Sequence, residues 1–234
     1  MDTADAKLPL LRSVAHFAGL EEAVLNAVAA RCRPKAIAAD QHVFMVGEPC
    51  LDLYVLESGR VKFYRVNAEG REQVLKVFNR PGDTFCIASA FSTGRHIVSA
   101  RAATATRLHV LDMDTVNRLI RRHPTVGRTL IATAGEHMAH LVGLAEDLAL
   151  KTATGRLAKH LHELALAEGA VQGKEIRLSR DRLAEEELAS MLGTVRVHVS
   201  RSLTNLARAG AIDIDREFIR IRDLAVLRRI SEGK

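Results

Sequence analysis

The amino-acid sequence predicts an α+β fold in which strands and helices occupy different parts of the chain. Short alternating apolar and polar runs, separated by turn residues, extend over residues 33–112 and are typical of a small β domain. Residues 125–150 carry apolar side chains at the spacing of one long helix, and residues 183–221 predict two short helices followed by a β-hairpin. We therefore expect an N-terminal β domain, a long helix and a C-terminal helical domain.

Composition narrows the class of protein further. A chain of 234 residues can bury two separate cores, and no apolar run approaches the roughly 20 residues that a membrane span needs. The net charge of +6 favours a polyanionic partner. The N-terminal residues lack the pattern of a signal peptide, and three widely spaced cysteines suit a reducing compartment better than a disulfide framework. We expect a cytoplasmic protein that contacts no membrane.

The N-terminal domain begins with a short helical lead-in over residues 10–32, where apolar residues recur at helical spacing. Strands follow it, separated by turns such as Ser58-Gly59. The predicted strands are residues 52–57, 60–66, 73–78, 96–102 and 106–111. Many short strands with glycine turns predict a small sandwich or barrel.

A short helix is predicted over residues 112–123, and the long helix follows Pro124. Its seam has alternating spacings of four and three, as in a two-stranded coiled coil. The seam residues are Leu130, Ala134, His137, Leu141, Leu144 and Leu148. The alternative is a helix that packs on its own domain. We expect domains over residues 1–123, 124–151 and 152–234, the last with a helix over 154–167 and a loop over 169–173.

The helix pair near the C-terminus is joined by a turn at Gly193, and Gly210 ends the second helix. Val199, Leu203 and Leu206 form the predicted buried stripe of that helix. Its other face holds three arginines and no acid between the two glycines, which suits a helix lying in a DNA major groove. The alternative is an ordinary solvated helix pair. We expect DNA contacts from Arg196, Val197, His198, Ser200, Arg201 and Asn205.

The chain resembles the Crp/Fnr family of bacterial transcription regulators from about residue 17 to residue 221. The matching segments are residues 46–49, 53–61, 80–83, 154–158 and 186–212, with residues 211–222 as the hairpin wing. The resemblance implies a jelly-roll-like β-roll that binds a small effector, a dimerisation helix and a C-terminal winged helix-turn-helix. It also implies a homodimeric activator that binds an inverted repeat in double-stranded DNA and has RNA polymerase as a partner.

The resemblance locates the candidate effector site in the β-roll. Members that bind cyclic AMP carry Gly-Glu and, about ten residues later, Arg-Ser or Arg-Thr, whose arginine neutralises the phosphate. Here Gly82-Asp83 is the first part, whereas His96 and Ile97 stand at the second, with Arg95 one residue early. We expect that cyclic AMP does not bind. The alternative is a cyclic-nucleotide-dependent regulator with an atypical phosphate cassette.

A heme-bound gas is the other effector class that the resemblance suggests. Residues 82–86 resemble the segment that supplies a cysteine ligand in the CO-sensing, CooA-type branch, and the layout resembles the NO-responsive DNR and HcpR branches. His137, with His140 one turn away, and His96 are possible axial ligands, and Leu141 is a further candidate for contact with the effector. Of these and the cysteines, His137 and Cys86 are the candidate iron ligands if heme is bound. Each has an alternative role, Cys86 as a small buried residue and His137 as a polar seam residue. A small organic effector is the third possibility.

Two further expectations concern chemistry and specificity. The sequence has no Ser/His/Asp order, metal-ligand spacing or phosphate loop, so we expect no enzyme; the cysteine group of the iron–sulfur members is also absent. In the recognition helix, Arg201 matches the family's arginine, but Val197 replaces the glutamate that accepts a hydrogen bond from cytosine. We therefore expect a half-site other than the family's common TGTGA or TTGAT.

Overall fold

A computed structural model describes residues 4–168, 176–179 and 183–233. The predicted loop over residues 169–173 lies outside the described residues. The chain divides into two compact units. One comprises Met1–Arg65 and Leu75–His140, and the other comprises Val66–Val74 and Leu141–Lys234.

The N-terminal part of the chain contains the predicted β-roll. Helices α1 (Ala4–Ser13) and α2 (Glu22–Arg31) precede it. Its strands are β1 (Arg33–Ile37), β2 (His42–Phe44), β3 (Asp52–Ser58), β4 (Val61–Val66), β5 (Glu72–Phe78), β6 (Thr84–Phe85), β7 (Ser99–Ala102) and β8 (Thr106–Asp112). They form two four-stranded sheets, in the orders β1-β8-β3-β6 and β2-β7-β4-β5.

The two faces of strand β3 pack into two different hydrophobic cores. Alternate side chains of a strand point to opposite faces. Tyr54 and Leu56 enter a core shared by strands of both sheets, whereas Leu53 and Val55 enter a second core with the N-terminal helices. Both faces are buried, so the strand is a continuous apolar run rather than a strict alternation.

In the N-terminal part of the chain, the elements that the sequence did not predict are short. They are β1, β2, the two-residue strand β6 and the five-residue helix α3 (Ile87–Phe91). Elements of this length have too few residues for their periodicity to be recognised. The predicted strand over 96–102 begins only at Ser99, because His96 instead exchanges backbone hydrogen bonds with Gly47 and Glu48 at 2.7 and 2.9 Å.

Helix α4 (Met113–Arg122) begins at Asp112, whose carboxylate accepts a hydrogen bond from the Thr115 backbone N–H at 2.8 Å. Helix α5 (Pro124–Leu150) is the predicted long helix. Its predicted seam is wrong in part, because Leu130 is buried in the N-terminal helical core and Ala134 packs against that core. Ile131, Met138 and Val142 are exposed, at spacings of seven and four, and so are Leu141 and Leu148 of the predicted seam.

The C-terminal unit contains the predicted winged helix-turn-helix. Its elements are α6 (Ala153–Ala167), β9 (Ile176–Ser179), α7 (Glu185–Leu192), α8 (Arg196–Arg208), β10 (Ile212–Ile214), β11 (Phe218–Ile221) and α9 (Leu224–Ser231). The sequence did not predict β9 or α9. The three strands pair in the order β10-β11-β9, and one core joins them to the helices through residues such as Leu161, Leu206 and Ile219. Among the described residues, no helix is both long and apolar enough to span a membrane.

Candidate DNA-binding surface and sensor site

Helix α8 presents its predicted polar side chains to solvent. Gly193 ends α7 with a φ of 62°, a conformation that favours glycine and turns the chain into α8. The predicted stripe of Val199, Leu203 and Leu206 is buried. The six predicted DNA contacts are all exposed, namely Arg196, Val197, His198, Ser200, Arg201 and Asn205. The arrangement leaves one face of α8 available to a partner.

The charges on this face differ in their availability. Arg196 lies 3.3 Å from the Glu185 carboxylate of α7, so the sequence-based view that every arginine here is uncompensated was wrong for Arg196. Arg201 makes no hydrogen bond or ion pair within the described residues. His198 Nδ1 lies 3.3 Å from the Thr194 hydroxyl, which orients the imidazole. Unlike Arg196, Arg201 is therefore available to an external acceptor.

Polar contacts that the sequence did not predict position α8. Thr154 of α6 donates a hydrogen bond to the Ser202 hydroxyl at 3.0 Å, and Ser202 is buried. Arg156 donates to the carbonyl of Leu192 at the end of α7 and to that of Lys151, both at 2.7 Å. Ser202 lies one turn from Val199 and Leu206 on the buried side of α8, and this spacing could have identified it.

The wing is held by an aspartate at its turn. Asp215 accepts hydrogen bonds from the backbone N–H groups of Glu217 and Phe218 at 2.9 and 2.7 Å, and its second oxygen pairs with Arg220. The Arg220 guanidinium, followed by the two backbone donors, lowers the pKa of Asp215 to about 2. Arg216, at the tip of the turn, is exposed. The wing therefore keeps a fixed shape with a cation at its tip.

In the sensor domain, the Gly82-Asp83 pair builds a turn. Gly82 has a φ of 89°, and an added Cβ there would approach the Ser13 hydroxyl to 2.9 Å. One carboxylate oxygen of Asp83 accepts hydrogen bonds from the backbone N–H groups of Asn79 and Arg80 at 3.1 and 3.0 Å. A ribose hydroxyl would therefore have to compete with two backbone N–H groups for this oxygen.

The second part of the cassette places no cation over the turn. His96 is buried and stacks on Phe44, with ring centroids 3.6 Å apart. Burial lowers the pKa of His96, although Glu48 and Asp52 oppose the shift. Arg95 is exposed and donates to the Gly47 carbonyl at 2.8 Å. The family's phosphate-binding arginine is thus replaced by an imidazole that favours the neutral form.

Cys86 lies in a cluster that the sequence did not predict. Its Sγ is 3.7 Å from His96 Nδ1, and Cys50 Sγ donates to the Cys86 carbonyl at 3.6 Å. The two sulfur atoms and one imidazole nitrogen all lie within 4.8 Å of one another, and all three residues are buried. Burial raises the pKa of the Cys86 thiol well above its usual value, whereas a hydrogen bond with Cys86 lowers that of Cys50.

His137 has different neighbours from Cys86. Its ring packs against Phe78 edge to face, with centroids 5.6 Å apart. Burial, followed by the charges of Lys76 and His140, lowers the pKa of His137 to about 4, so its imidazole is neutral near pH 7. The predicted ligands Cys86 and His137 are not grouped as a metal-binding set among the described residues. Leu141 lies on α5 and is exposed.

Comparison with known protein families identifies both parts of the chain. Residues 34–123 match the model of the cyclic nucleotide-binding domain, and residues 155–230 match that of the Crp-like helix-turn-helix domain. The first match covers the strands that enclose the Cys86 cluster, and the second covers the helices that present Arg201. The molecule is thus a transcriptional regulator with a sensor domain and a helix-turn-helix.

Known relatives narrow the class. A CRP-like cAMP-activated global transcriptional regulator of Mycobacterium tuberculosis is 30% identical over 91% of this chain and 94% of its own length. The cyclic AMP receptor protein of Thermus thermophilus is 30% identical over 82% of this chain and 84% of its own. The structure of FixK2 from Bradyrhizobium japonicum has the same fold, with a TM-score of 0.70 at 23% identity over 85% of this chain and 96% of its own. The chain belongs to the Crp/Fnr family of transcriptional regulators.

Proposed function

We propose that this protein is an effector-responsive transcriptional regulator that binds an inverted repeat in double-stranded DNA as a homodimer in the cytoplasm. One observation carries the proposal. Arg201 and its polar neighbours are exposed on α8 while the opposite side of the helix is buried in the core. Such a helix can enter a major groove while its apolar stripe stays buried in the core. RNA polymerase is the protein partner that an activator bound at a promoter would contact.

The exposed apolar side chains of α5 support the homodimer. Ile131, Met138 and Val142 recur at spacings of seven and four, which match the repeat of a coiled coil. In this stripe, Ile131 takes the place that was predicted for Leu130, which is buried in the N-terminal core. We retain the division into residues 1–123 for sensing, 124–151 for dimerisation and 152–234 for DNA binding. Effector binding would change the populations of two dimer states.

We propose further that cyclic AMP is not the effector. The Asp83 carboxylate is engaged by backbone N–H groups, and His96 rather than arginine follows it in the cassette. A buried imidazole with a lowered pKa supplies no lasting positive charge for a phosphate. The competing candidate is a cyclic-nucleotide effector, which is favoured by two relatives of 30% identity that are described as cAMP-activated or as cyclic AMP receptors.

A heme-bound gas such as NO or CO is the effector class that we propose instead. His137 could supply an iron ligand, because its ring lies against Phe78 on the inner side of α5 and burial lowers its pKa to about 4, which leaves one imidazole nitrogen unprotonated. Cys86 does not fit as the accompanying ligand, since its thiol lies with Cys50 and His96. When bound, the iron would supply the gas-binding position. Hemin titration of wild type and His137→Ala, followed by the absorption spectrum, tests this assignment.

A footprinting experiment tests the function as a whole. The dimer should protect an inverted repeat with half-site centres about one helical turn apart. Affinity should fall steeply with salt, because arginine and lysine displace counterions from phosphates. Cyclic AMP should not raise the affinity, whereas micromolar cyclic AMP binding in calorimetry would favour the competing effector. Protection of a single asymmetric half-site would contradict the homodimer.

A further inference from the structure

Three buried residues from separate parts of the chain meet inside the β-roll. Cys50 precedes β3, Cys86 follows β6, and His96 lies before β7. Each has no more than 5% of its surface exposed. Their two sulfur atoms and one imidazole nitrogen lie within 4.8 Å of one another. The fold therefore brings three atoms that can bind a metal to one point, without any local motif in the sequence.

The distances suit direct coordination of one ion. Zinc–sulfur and zinc–nitrogen bonds are about 2.3 and 2.0 Å long, so neighbouring ligand atoms in a zinc site are ~3.5 Å apart. The distance from Cys86 Sγ to His96 Nδ1 is 3.7 Å. Stacking against Phe44 holds the imidazole ring in place. Small shifts of the thiols would thus be enough to close the three ligands around an ion.

We propose that Cys50, Cys86 and His96 form a binding site for one thiophilic d¹⁰ metal ion, Zn²⁺ or Cu⁺. Two thiolates and an imidazole select soft or borderline cations, whereas Mg²⁺ and Ca²⁺ require oxygen ligands. The site lies inside the β-roll. It does not depend on the proposed function, because metal binding is measured on the free protein.

Zn²⁺ and Cu⁺ differ in what they require of the site. Two thiolates balance the charge of Zn²⁺, which suits a buried position, but zinc takes a fourth ligand that these three residues do not supply. Cu⁺ is satisfied by soft thiolate ligands, but would leave one uncompensated negative charge. The coordination number of the bound ion therefore decides between them, and a fourth ligand found on zinc would be an exogenous molecule or a rearranged neighbour.

The test is a metal titration of the reduced full-length protein with Zn²⁺, Co²⁺ as its spectroscopic substitute, and Cu⁺. We expect one ion per chain for Zn²⁺ or Cu⁺, with thiolate-to-metal charge-transfer absorption for Co²⁺ or Cu⁺. Cys50→Ser, Cys86→Ser and His96→Asn should each weaken binding more than about 100-fold, since even outer-shell changes cost 10–100-fold. Cys32→Ser is the matched control, because Cys32 is equally buried but lies in the helical core, and it should bind like wild type.

A measurement on wild type alone guards against variants that fail to fold. Metal binding should release about two protons per ion, because both thiols must ionise to coordinate it. Binding that persists in all three ligand variants, or that releases no protons, would overturn the site. A Cys50–Cys86 disulfide found by mass mapping in protein purified without oxidant would also overturn it.

Discussion

Helix α8 and the Cys86 cluster were built by the sequence in different ways. The side chains of α8 that we expect to contact DNA lie within ten residues, between Arg196 and Asn205, and one helical period separates them from the buried ones. The members of the cluster are 36 and 10 residues apart along the chain, and only the folded strands bring them together. The first arrangement follows from local spacing, whereas the second follows from tertiary structure.

The largest expected effect concerns the buried side of α8. Leu206 is fully buried, so Leu206→Ala should lower the free energy of unfolding by about 2–5 kcal/mol, through lost burial and the cavity left behind. Val197→Ala on the exposed side should change it by less than about 0.5 kcal/mol. Urea unfolding followed by circular dichroism measures both. Equal losses would contradict the division of α8 into a core side and a free side.

The sensor domain should respond to acid through a buried histidine. His16 Nε2 shares a hydrogen bond of 2.7 Å with the Thr84 hydroxyl, and burial lowers the pKa of His16 to about 4, with a smaller contribution from His137. Between pH 6.5 and 4 the unfolded chain therefore binds more protons than the native one. The free energy of unfolding therefore decreases as the pH is lowered through this range. We expect a loss of roughly 2 kcal/mol between pH 6.5 and 5.

Urea unfolding at several pH values measures this loss. His16→Gln should reduce the slope between pH 6.5 and 4, because it removes one titrating group, and the part that His137 contributes through its own lowered pKa should remain. His162→Gln, which removes a histidine from the C-terminal unit, is the matched control and should retain the slope. A wild-type stability that is constant across this window would show that His16 is not held neutral in the folded state.

The same contrast explains what sequence analysis could and could not predict. The buried and exposed sides of α8 were predicted, because its residues obey one period over 13 positions. The seam of α5 was predicted wrongly at Leu130 and Ala134, because exposure there depends on which side of the helix packs on the N-terminal core. Cys50 was missed as a partner of Cys86, since the pairing of β3 with β6 brings their segments together. The Arg196–Glu185 ion pair was also missed, because it joins two different helices, α8 and α7.

A smaller effect is expected for Arg201 of α8. Arg201→Ala should weaken specific DNA binding by about 1–3 kcal/mol and relax the preference at one base pair, because a guanidinium can donate two hydrogen bonds to guanine. Arg208→Ala removes the same charge from the last turn of the helix and serves as the control. It should weaken binding to all sequences alike. Binding-site selection and salt titration of both variants separate base recognition from charge.

The smallest expected effect concerns position 197. The Val197 side chain is 57% exposed on α8, and a valine can touch a thymine methyl but cannot accept a hydrogen bond from cytosine. Val197→Glu introduces that acceptor, so it should move the preferred half-site toward TGTGA or TTGAT by about 1 kcal/mol at one base pair. The added negative charge should also lower non-specific affinity.

Val197→Gln is the matched control for this change, because it adds a side chain of similar length without the charge. A glutamine pairs with adenine rather than cytosine, so its preferred half-site should differ from that of the glutamate variant. Binding-site selection with wild type and both variants decides the matter. If wild type already prefers the family half-site as strongly as Val197→Glu does, position 197 does not contact that base pair. Other exposed residues of α8 would then recognise it.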